Sequence, residues 1–471
     1  MKPQDIGVMG LAVMGQNLVL NLESRGHAVA VYNRTSEKTR SFVETKASGK
    51  RIEATYDIDS FVDCLSVPRK ILLMVKAGAP TDALIERLLP LLDPGDILMD
   101  GGNAHYADTD RRVGLAADRG VLYLGVGISG GEQGALAGPA IMAGGSSHAY
   151  EQVGHILESI AAAGPQGPCC TFFGPASAGH YVKMVHNGIE YAMMQTLCET
   201  YDLMKRGLGM NAEEMANVFE RWNKQELESY LVAITERILR QEDAEEASPL
   251  VEKILDTAAQ KGTGKWTSQS ALDLGTPSSS IAAAVFARII SSLKSERVSA
   301  AKVLRGPACG LSIDRETGVE LLFSAALLSC ISAYAQGFRQ LQEASRERGY
   351  GLDLAEIARV WMAGCIIRAG LLVPMAETFR HQPDLPMLFL ADPFRTLWEK
   401  HQANLRAIAA CAHGAGIPAP CISSALDFVD AYRTDRLPAN LLQAQRDFFG
   451  AHTYQRIDRE GAHHTEWEQV T

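Results

Sequence analysis

Short apolar runs alternate with amphipathic stretches through the first third of the chain. Runs at 6–9, 28–32, 70–75, 96–100 and 121–125 have the length and the Ile, Val and Leu content of strands. Stretches such as 17–24 and 81–92 space their apolar residues as helices do, the first of them starting near Gln16. Repeated strand and helix units predict a parallel sheet with helices on both faces. The pattern breaks at Gly164-Pro165-Gln166-Gly167-Pro168 and Gly174-Pro175-Ala176-Ser177, a density of helix breakers expected of an interdomain junction. Beyond it strand signals almost vanish. A helical run at 178–206 ends at Gly207 and Gly209, and Asn211-Ala212-Glu213-Glu214 has the composition of a new helix cap.

The same punctuation returns 142 positions later, where Arg348-Gly349-Tyr350-Gly351-Leu352-Asp353 matches Arg206-Gly207-Leu208-Gly209-Met210-Asn211. With Glu214/Glu356, Ala216/Ala358 and Val218/Val360 there are six identities in fourteen positions. They predict a duplicated helical unit, although shared capping needs could produce half of the matches. The last stretch, from about 437, predicts a short helix to Phe448-Phe449-Gly450 and then a polar, irregular end. Its aromatic residues, Phe448, Phe449, Tyr454 and Trp467, predict that it packs on something. Three segments result: 1–177 with the sheet, an all-helical 178–436 and a tail, 437–471.

Composition narrows the class. The 471 residues suit two to three domains at roughly 150 residues each, and 46% hydrophobic with 21% charged residues excludes a disordered chain. Forty-five Lys and Arg against fifty-five Asp and Glu leave a net charge of −10, so no global basic field recruits nucleic acid or anionic lipid. An anionic ligand must be held by local cations or helix N-termini. Nine cysteines without a C-x-x-C pair or zinc-type His spacing predict no metal site and fit a reducing cytosol. Met1-Lys2-Pro3-Gln4-Asp5 leads straight into a strand, so no signal peptide is expected. The uncharged run 321–338 carries Ser324, Ser329, Ser332, Tyr334 and Gln336, and predicts a buried helix, not a membrane span.

The first strand leads into Gly10-Leu11-Ala12-Val13-Met14-Gly15 and a helix. This is the dinucleotide fingerprint G-x-G-x-x-G with Ala12 at the second glycine position: a tight turn, a close approach for pyrophosphate, and helix packed against strand. The second strand ends at Tyr32-Asn33-Arg34-Thr35, where an NAD-selective site carries a carboxylate. Arg34, with Asn33 and Thr35, would pair with a 2′-phosphate and favour NADP; the alternative is a solvated loop cation.

Within the run at 178–206, Lys183, His186, Asn187 and Glu190 stand at i, i+3, i+4 and i+7, stacked on one face and flanked by Tyr191. A solvent-facing Lys–Glu stripe is the plain alternative. The repeat supplies a control, because Ala325, Leu328, Ser329, Ser332 and Ala333 occupy the equivalent positions. A duplicated unit that folds without those polar groups points to function for them. A lysine and a glutamate beside a bound hydroxy acid can remove an alcohol proton and protonate a carbanion, provided desolvation keeps the lysine neutral.

Asp100-Gly101-Gly102-Asn103 and Gly127-Ile128-Ser129-Gly130-Gly131-Glu132-Gln133-Gly134 follow strands, where backbone N–H groups can meet an anion; the second could equally be a plain turn. Gln260-Lys261-Gly262-Thr263-Gly264-Lys265-Trp266 lacks Walker spacing and a preceding strand, which argues against nucleotide triphosphate binding but leaves Lys261 as a phosphate anchor. Arg288 on an apolar stretch, and Arg446 and His452 in the tail, could each be ordinary surface cations.

Taken in order, Gly10 to Asn17, Asn33-Arg34-Thr35, Asp100 to Asn103, Ser129 to Glu132, Lys183 to Tyr191, Ile254-Leu255-Asp256, Gln260 to Trp266 and Leu437 to Tyr454 resemble the decarboxylating 6-phosphogluconate dehydrogenase family of the pentose phosphate pathway. The resemblance runs nearly end to end. It implies a Rossmann-type domain followed by a large all-α domain, and NADP held by Gly10, Leu11, Ala12, Val13, Met14, Gly15, Asn33, Arg34, Thr35, Val75, Lys76, Ala77 and Asn103. Substrate would meet Asn103, Ser129, Gly130, Gly131, His186, Asn187, Tyr191, Lys261, Arg288, Arg446 and His452. Lys183 would be the base and Glu190 the acid. The resemblance further implies a cytoplasmic enzyme of gluconate utilization and a homodimer whose tails reach the neighbouring subunit's site, with no nucleic acid or membrane partner. The sequence departs from the family pattern at Ala192-Met193, Ala135-Leu136-Ala137 and Met362-Ala363, which puts kinetics and preference in question but not the reaction class. Two alternatives share part of the pattern. A β-hydroxyacid dehydrogenase that does not decarboxylate would share the loop and Lys183, and a non-catalytic NADP-binding regulator would lack the converging Lys183, Glu190, Lys261 and Arg288.

Overall fold

A computed structural model describes residues 3–467; positions 1–2, and with them the start of the expected leaderless N-terminus, and 468–471, the end of the expected tail, lie outside the described residues. Two compact units form, Met1–Ala425 and Leu426–Thr471.

The first unit opens with an eight-stranded sheet: β1 (Ile6–Met9), β2 (Val29–Tyr32), β3 (Ile52–Thr55), β4 (Lys70–Leu73), β5 (Ile97–Asp100), β6 (Leu122–Ser129), β7 (Ala140–Gly145) and the edge strand Cys170–Phe172. Across the sheet the order is Cys170–Phe172, β7, β6, β5, β4, β1, β2, β3. Alternate side chains go to opposite faces, and both faces are buried. Val29, Val31, Leu72, Ile97 and Met99 join one core with Leu18, Leu22 and Ile156, while Ala30, Tyr32, Ile71, Leu73 and Leu98 join the other with Phe61 and Ile85. Such two-sided burial is why the strands read as continuous apolar runs.

The five strands expected from sequence pair in parallel as predicted, and the departure lies in a strand beyond them. β7 runs antiparallel to β6, and Cys170–Phe172 is parallel to β7. Only positions 130–139 separate β6 from β7, and they hold the short helix Gly131–Ala137. That is too little chain for a parallel crossover, which takes roughly a dozen residues or more. The fingerprint helix also starts earlier than expected, at Val13.

The helical part begins with Ala178–Asp202, continued by a π-helical turn, Leu203–Gly207. Its counterpart is Arg315–Arg348, ended by Gly349 at φ 67°. The helices that follow them, Ala212–Trp222 and Tyr230–Arg240, recur as Leu354–Trp361 and Leu372–His381, at the same offset seen in the sequence. The expected caps are present. Asn211 accepts from the N–H of Glu214, whose carboxylate accepts in return, and Asp353 accepts from Ala355 and Glu356. Arg315–Arg348 is the one helix among the described residues long and apolar enough to cross a membrane, yet 83% of that apolar window is buried in the fold.

In the second unit, helix Ala439–Gly450 is followed by a two-residue antiparallel pairing, Tyr454–Gln455 with Ala462–His463. Residues 451–467 are therefore more ordered than their polar composition suggested. The reason is a buried aspartate, Asp447, which organises the segment after the helix.

Candidate active site

The glycine loop is fixed by close contacts. Gly10 has φ 106°, and a Cβ there would lie 2.4 Å from the Met74 carbonyl oxygen; one on Gly15 would lie 1.9 Å from the Gly10 oxygen. Only glycine lets the loop lie against the end of β4. Helix Val13–Ser24 opens with no side-chain cap and no acid in its first turn, so its N-terminal N–H groups and dipole are available to an anion. The Leu11 N–H donates to Asn33 Oδ1 (3.0 Å) and Asn33 Nδ2 donates to the Thr35 carbonyl (3.1 Å), tying the loop to the end of β2. Arg34 is exposed beside them, and none of residues 33–35 is a carboxylate. These residues fit a dinucleotide bearing a 2′-phosphate.

Val75, Lys76, Ala77 and Asn103 leave β4 and β5 on the same edge of the sheet. A buried arginine braces the two loops: Arg112 donates to Asp82 (2.8 Å), Asp100 (3.1 Å) and the Gly78 carbonyl (3.2 Å). Asp100 also accepts from the Gly102 N–H (3.0 Å) and the Tyr123 hydroxyl (3.2 Å). Sequence reasoning missed this brace, since an arginine twelve residues past a strand carries no local signal.

Helix Ala178–Asp202 docks its first turns on β6. A Cβ on Gly127 would lie 2.4 Å from that of Lys183, so strand and helix touch at the lysine stem. Lys183, His186 and Asn187 are buried, and Glu190 leaves 21% of its side chain open. The polar stripe therefore does not face bulk water. Lys183 Nζ donates to Asn187 Oδ1 and lies 3.4 Å from His186 Nδ1. His186 Nδ1 donates to Asn187 Oδ1 (3.0 Å), which leaves Nε2 to accept from the Ser129 hydroxyl (3.2 Å). Burial lowers the Lys183 pKa against the pull of Glu190 and Cys365. Burial raises that of Glu190 against Lys183 and Arg288, and burial with the Lys183 charge keeps His186 neutral, well below its ordinary value. A lysine eased toward its neutral form and a glutamate eased toward its acid form stand on one face, as base and acid must.

Gly130 (φ 129°) and Gly131 (φ 62°) turn the chain after Ser129 into helix Gly131–Ala137. Asn17 and Asn21, on the fingerprint helix, donate to the carbonyls of Glu132 (3.0 Å) and Ala135 (3.1 Å), joining the two loops. The segment around Gly364, not foreseen from sequence, closes this loop from the helical part. Its carbonyl accepts from the Ala140 N–H (2.9 Å), and Trp361 meets the His186 ring edge-on at 5.6 Å. Met362 and Ala363, two of the departures, lie between them.

The Arg288 guanidinium stacks 3.5 Å above the Tyr191 ring and donates to the Ala259 carbonyl (3.5 Å), two residues before Lys261. Lys261 is exposed, just before helix Thr263–Asp273, whose Gly264 backs on Tyr191. The structure thus brings Ser129 together with Lys183, His186 and Asn187 at the end of β6, and sets Glu190, and Tyr191 with Arg288 stacked on its ring, further along the same helix. Arg446 and His452 belong to the second unit and are exposed there.

Comparison with known proteins adds a family. Residues 5–174 match the family described as the NAD binding domain of 6-phosphogluconate dehydrogenase, and residues 179–467 match its C-terminal domain. The chain is 53% identical over 468 residues to the NADP(+)-dependent, decarboxylating 6-phosphogluconate dehydrogenase of Bacillus subtilis, covering 99% of this chain and 100% of that one. It is 51% identical over 469 residues to the decarboxylating enzyme of Lactococcus lactis, with 99% of each covered. Among solved structures, Plasmodium falciparum 6-phosphogluconate dehydrogenase, studied in its apo form and in complex with NADP+ and with 6-phosphogluconate, superposes with a TM-score of 0.93 at 41% identity, over 98% of this chain and 100% of that one.

Proposed function

The chain belongs to the 6-phosphogluconate dehydrogenase family, and from that premise we propose that it converts 6-phosphogluconate to ribulose 5-phosphate and CO2 while reducing NADP to NADPH. The observation that carries the chemistry is the pair of buried Lys183 and partly buried Glu190, two turns apart on one helix face, with desolvation favouring the neutral form of each.

Bound NADP supplies the acceptor for the hydride that leaves C3 of the substrate. Gly10 to Gly15, Asn33 to Thr35, Val75 to Ala77 and Asn103 would hold it, the glycine loop at the pyrophosphate and Arg34 at the 2′-phosphate. Lys183, neutral, takes the C3 hydroxyl proton; protonated, it hydrogen-bonds the C3 ketone, so that the C1–C2 bond breaks with loss of CO2 and its electrons move to the ketone oxygen, which takes the Lys183 proton and leaves a five-carbon enediol. Glu190 then protonates the substrate's former C2, which becomes C1 of ribulose 5-phosphate. Asn187 and His186 orient the Lys183 amine, while Asn103, Ser129, Gly130 and Gly131 meet the carboxylate end and Tyr191, Lys261 and Arg288 the phosphate end. Arg446 and His452 complete the partner subunit's site in a homodimer with exchanged tails. In that arrangement 1–177 is the NADP-binding domain, 178–436 the substrate and dimerisation domain and 437–471 the exchanged tail, working in the cytoplasm on a pentose phosphate route. Absorbance at 340 nm with 6-phosphogluconate as sole substrate tests the reading, run with NADP and with NAD and with CO2 trapped in parallel. NADPH formed with an equal amount of CO2 is the expected result; oxidation without CO2 would move the enzyme to the non-decarboxylating hydroxyacid class.

A further inference from the structure

The second unit is organised by one carboxylate. Asp447, on helix Ala439–Gly450, is closed to solvent. Four donors from the segment that follows meet it: the N–H of Thr453 (2.9 Å) and His464 Nδ1 (2.9 Å) at Oδ1, and the N–H of Thr465 (3.1 Å) and Trp467 Nε1 (2.9 Å) at Oδ2. Its desolvation alone would raise the pKa, but the four hydrogen bonds outweigh it and hold the carboxyl well below the usual carboxylate range.

The turn it secures is strained. Three non-glycine residues among those described have positive φ, and two of them, Ala451 (49°) and Thr453 (58°), flank His452. A β-branched residue in the left-handed region persists only where its surroundings over-determine it. Thr453 is held from both sides, its N–H by Asp447 and its carbonyl by Gln443 Nε2 (2.6 Å). Gln443 Oε1 in turn accepts from Arg446 Nη1 (3.2 Å). One frame therefore links Asp447, Thr453, Gln443 and Arg446, with His452 between its two left-handed neighbours. A turn needed only to connect helix and hairpin could place glycine at both strained positions.

We infer that Asp447 is the positioning residue of the tail: its hydrogen bonds hold the strained turn so that His452 and Arg446 meet an anionic substrate as a preset pair. This rests on the reading that Arg446 and His452 bind 6-phosphogluconate. The test uses the full-length protein and measures kcat, KM for 6-phosphogluconate, KM for NADP and Tm for Asp447→Asn, Trp467→Phe, Arg446→Ala and His452→Ala. Asp447→Asn should raise KM for 6-phosphogluconate by about tenfold or more and leave KM for NADP within about twofold, since hydrogen bonds to a charged group are the strong ones. Trp467→Phe, which removes one of four donors, should raise the same KM by roughly two- to fivefold, and carries the test if Asp447→Asn does not fold. If Arg446→Ala and His452→Ala raise that KM while the Asp447 and Trp467 variants match wild type, the positioning role is overturned and the substrate reading stands. If Arg446→Ala and His452→Ala change nothing, the substrate reading fails and takes the positioning role with it. A uniform loss of Tm, kcat and both KM values in Asp447→Asn would mean a purely structural carboxylate and would also overturn it.

Discussion

Two helices that match at an offset of 142 positions pack side by side in the helical part, and they bury opposite things. Ala178–Asp202 encloses Lys183, His186, Asn187 and the base of Glu190; Arg315–Arg348 encloses Ala325, Leu328, Ser329 and Ser332 at the equivalent positions. The repeat folds with small and apolar groups there, so stability does not ask for the polar ones. Burying an amine and a carboxyl is unfavourable unless they are paired or neutral, and the shifts of Lys183 and Glu190 toward neutrality are the response to that burial. One helix keeps the packing alone; the other adds the polar groups that the proposed chemistry uses.

The sharpest way to break this comparison is to make the first helix resemble the second. Lys183→Met should lower kcat by roughly 10² to 10⁴, with NADP affinity and Tm retained or Tm raised, because an apolar chain replaces a desolvated amine. Steady-state kinetics, NADP titration and thermal unfolding together check it; near wild-type turnover would remove Lys183 from the mechanism. The reverse change comes next. Ala325→Lys should cost on the order of 3 kcal/mol or more, since the positions equivalent to Asn187 and Glu190 are Ser329 and Ser332, which offer a buried charge no carboxylate or amide. Urea unfolding at fixed protein concentration measures it.

Much of this contrast was legible beforehand, because it rests on local spacing. The i, i+3, i+4, i+7 stripe, the glycine fingerprint and both caps depend on residues close in sequence. What escaped depends on contacts the chain makes across long separations or on weak local patterns. β3 (Ile52–Thr55) lies at a half-buried sheet edge with a glutamate in it, and β7 ends in two glycines, so neither reads as an apolar strand. Arg112 between the loops after β4 and β5, Gly364 against the Ser129 loop and Asp447 in the tail act through partners that no periodicity announces.

A second contrast lies further along the same helices. Glu199 is buried, with burial pushing its pKa up to about 7 against hydrogen bonds from the N–H groups of Cys421 (2.9 Å) and Ile422 (3.0 Å). Its repeat equivalent, Leu341, is also buried and has nothing to titrate. The folded carboxyl binds its proton more tightly than the unfolded one, whose pKa is about 4.3, so its stabilising contribution is complete below that value and is lost as pH rises through 7. The loss across the window is on the order of 3 kcal/mol. Glu199→Gln should flatten it, and urea midpoints at intervals from pH 5 to 8 give the slope. A variant as pH-dependent as wild type would assign the slope to another group.

The smallest expected effect tests whether the repeats are equivalent where they should be. Asn211 and Asp353 cap matching helices, but by different means: Asn211 shares a capping box with Glu214, and Asp353 alone receives two N–H groups, at 2.8 Å and 3.2 Å. Each change to Ala should cost about 1 kcal/mol, with Asp353→Ala the larger because a charged cap also meets the helix dipole. Added salt should shrink the Asp353 effect more than the Asn211 effect, since screening weakens a charge and leaves a neutral hydrogen bond nearly unaltered. Equal, salt-independent losses would show that the two copies cap their helices by hydrogen bonding alone. Turnover per folded molecule should stay level in both variants, because neither cap touches the stripe that separates one helix from the other.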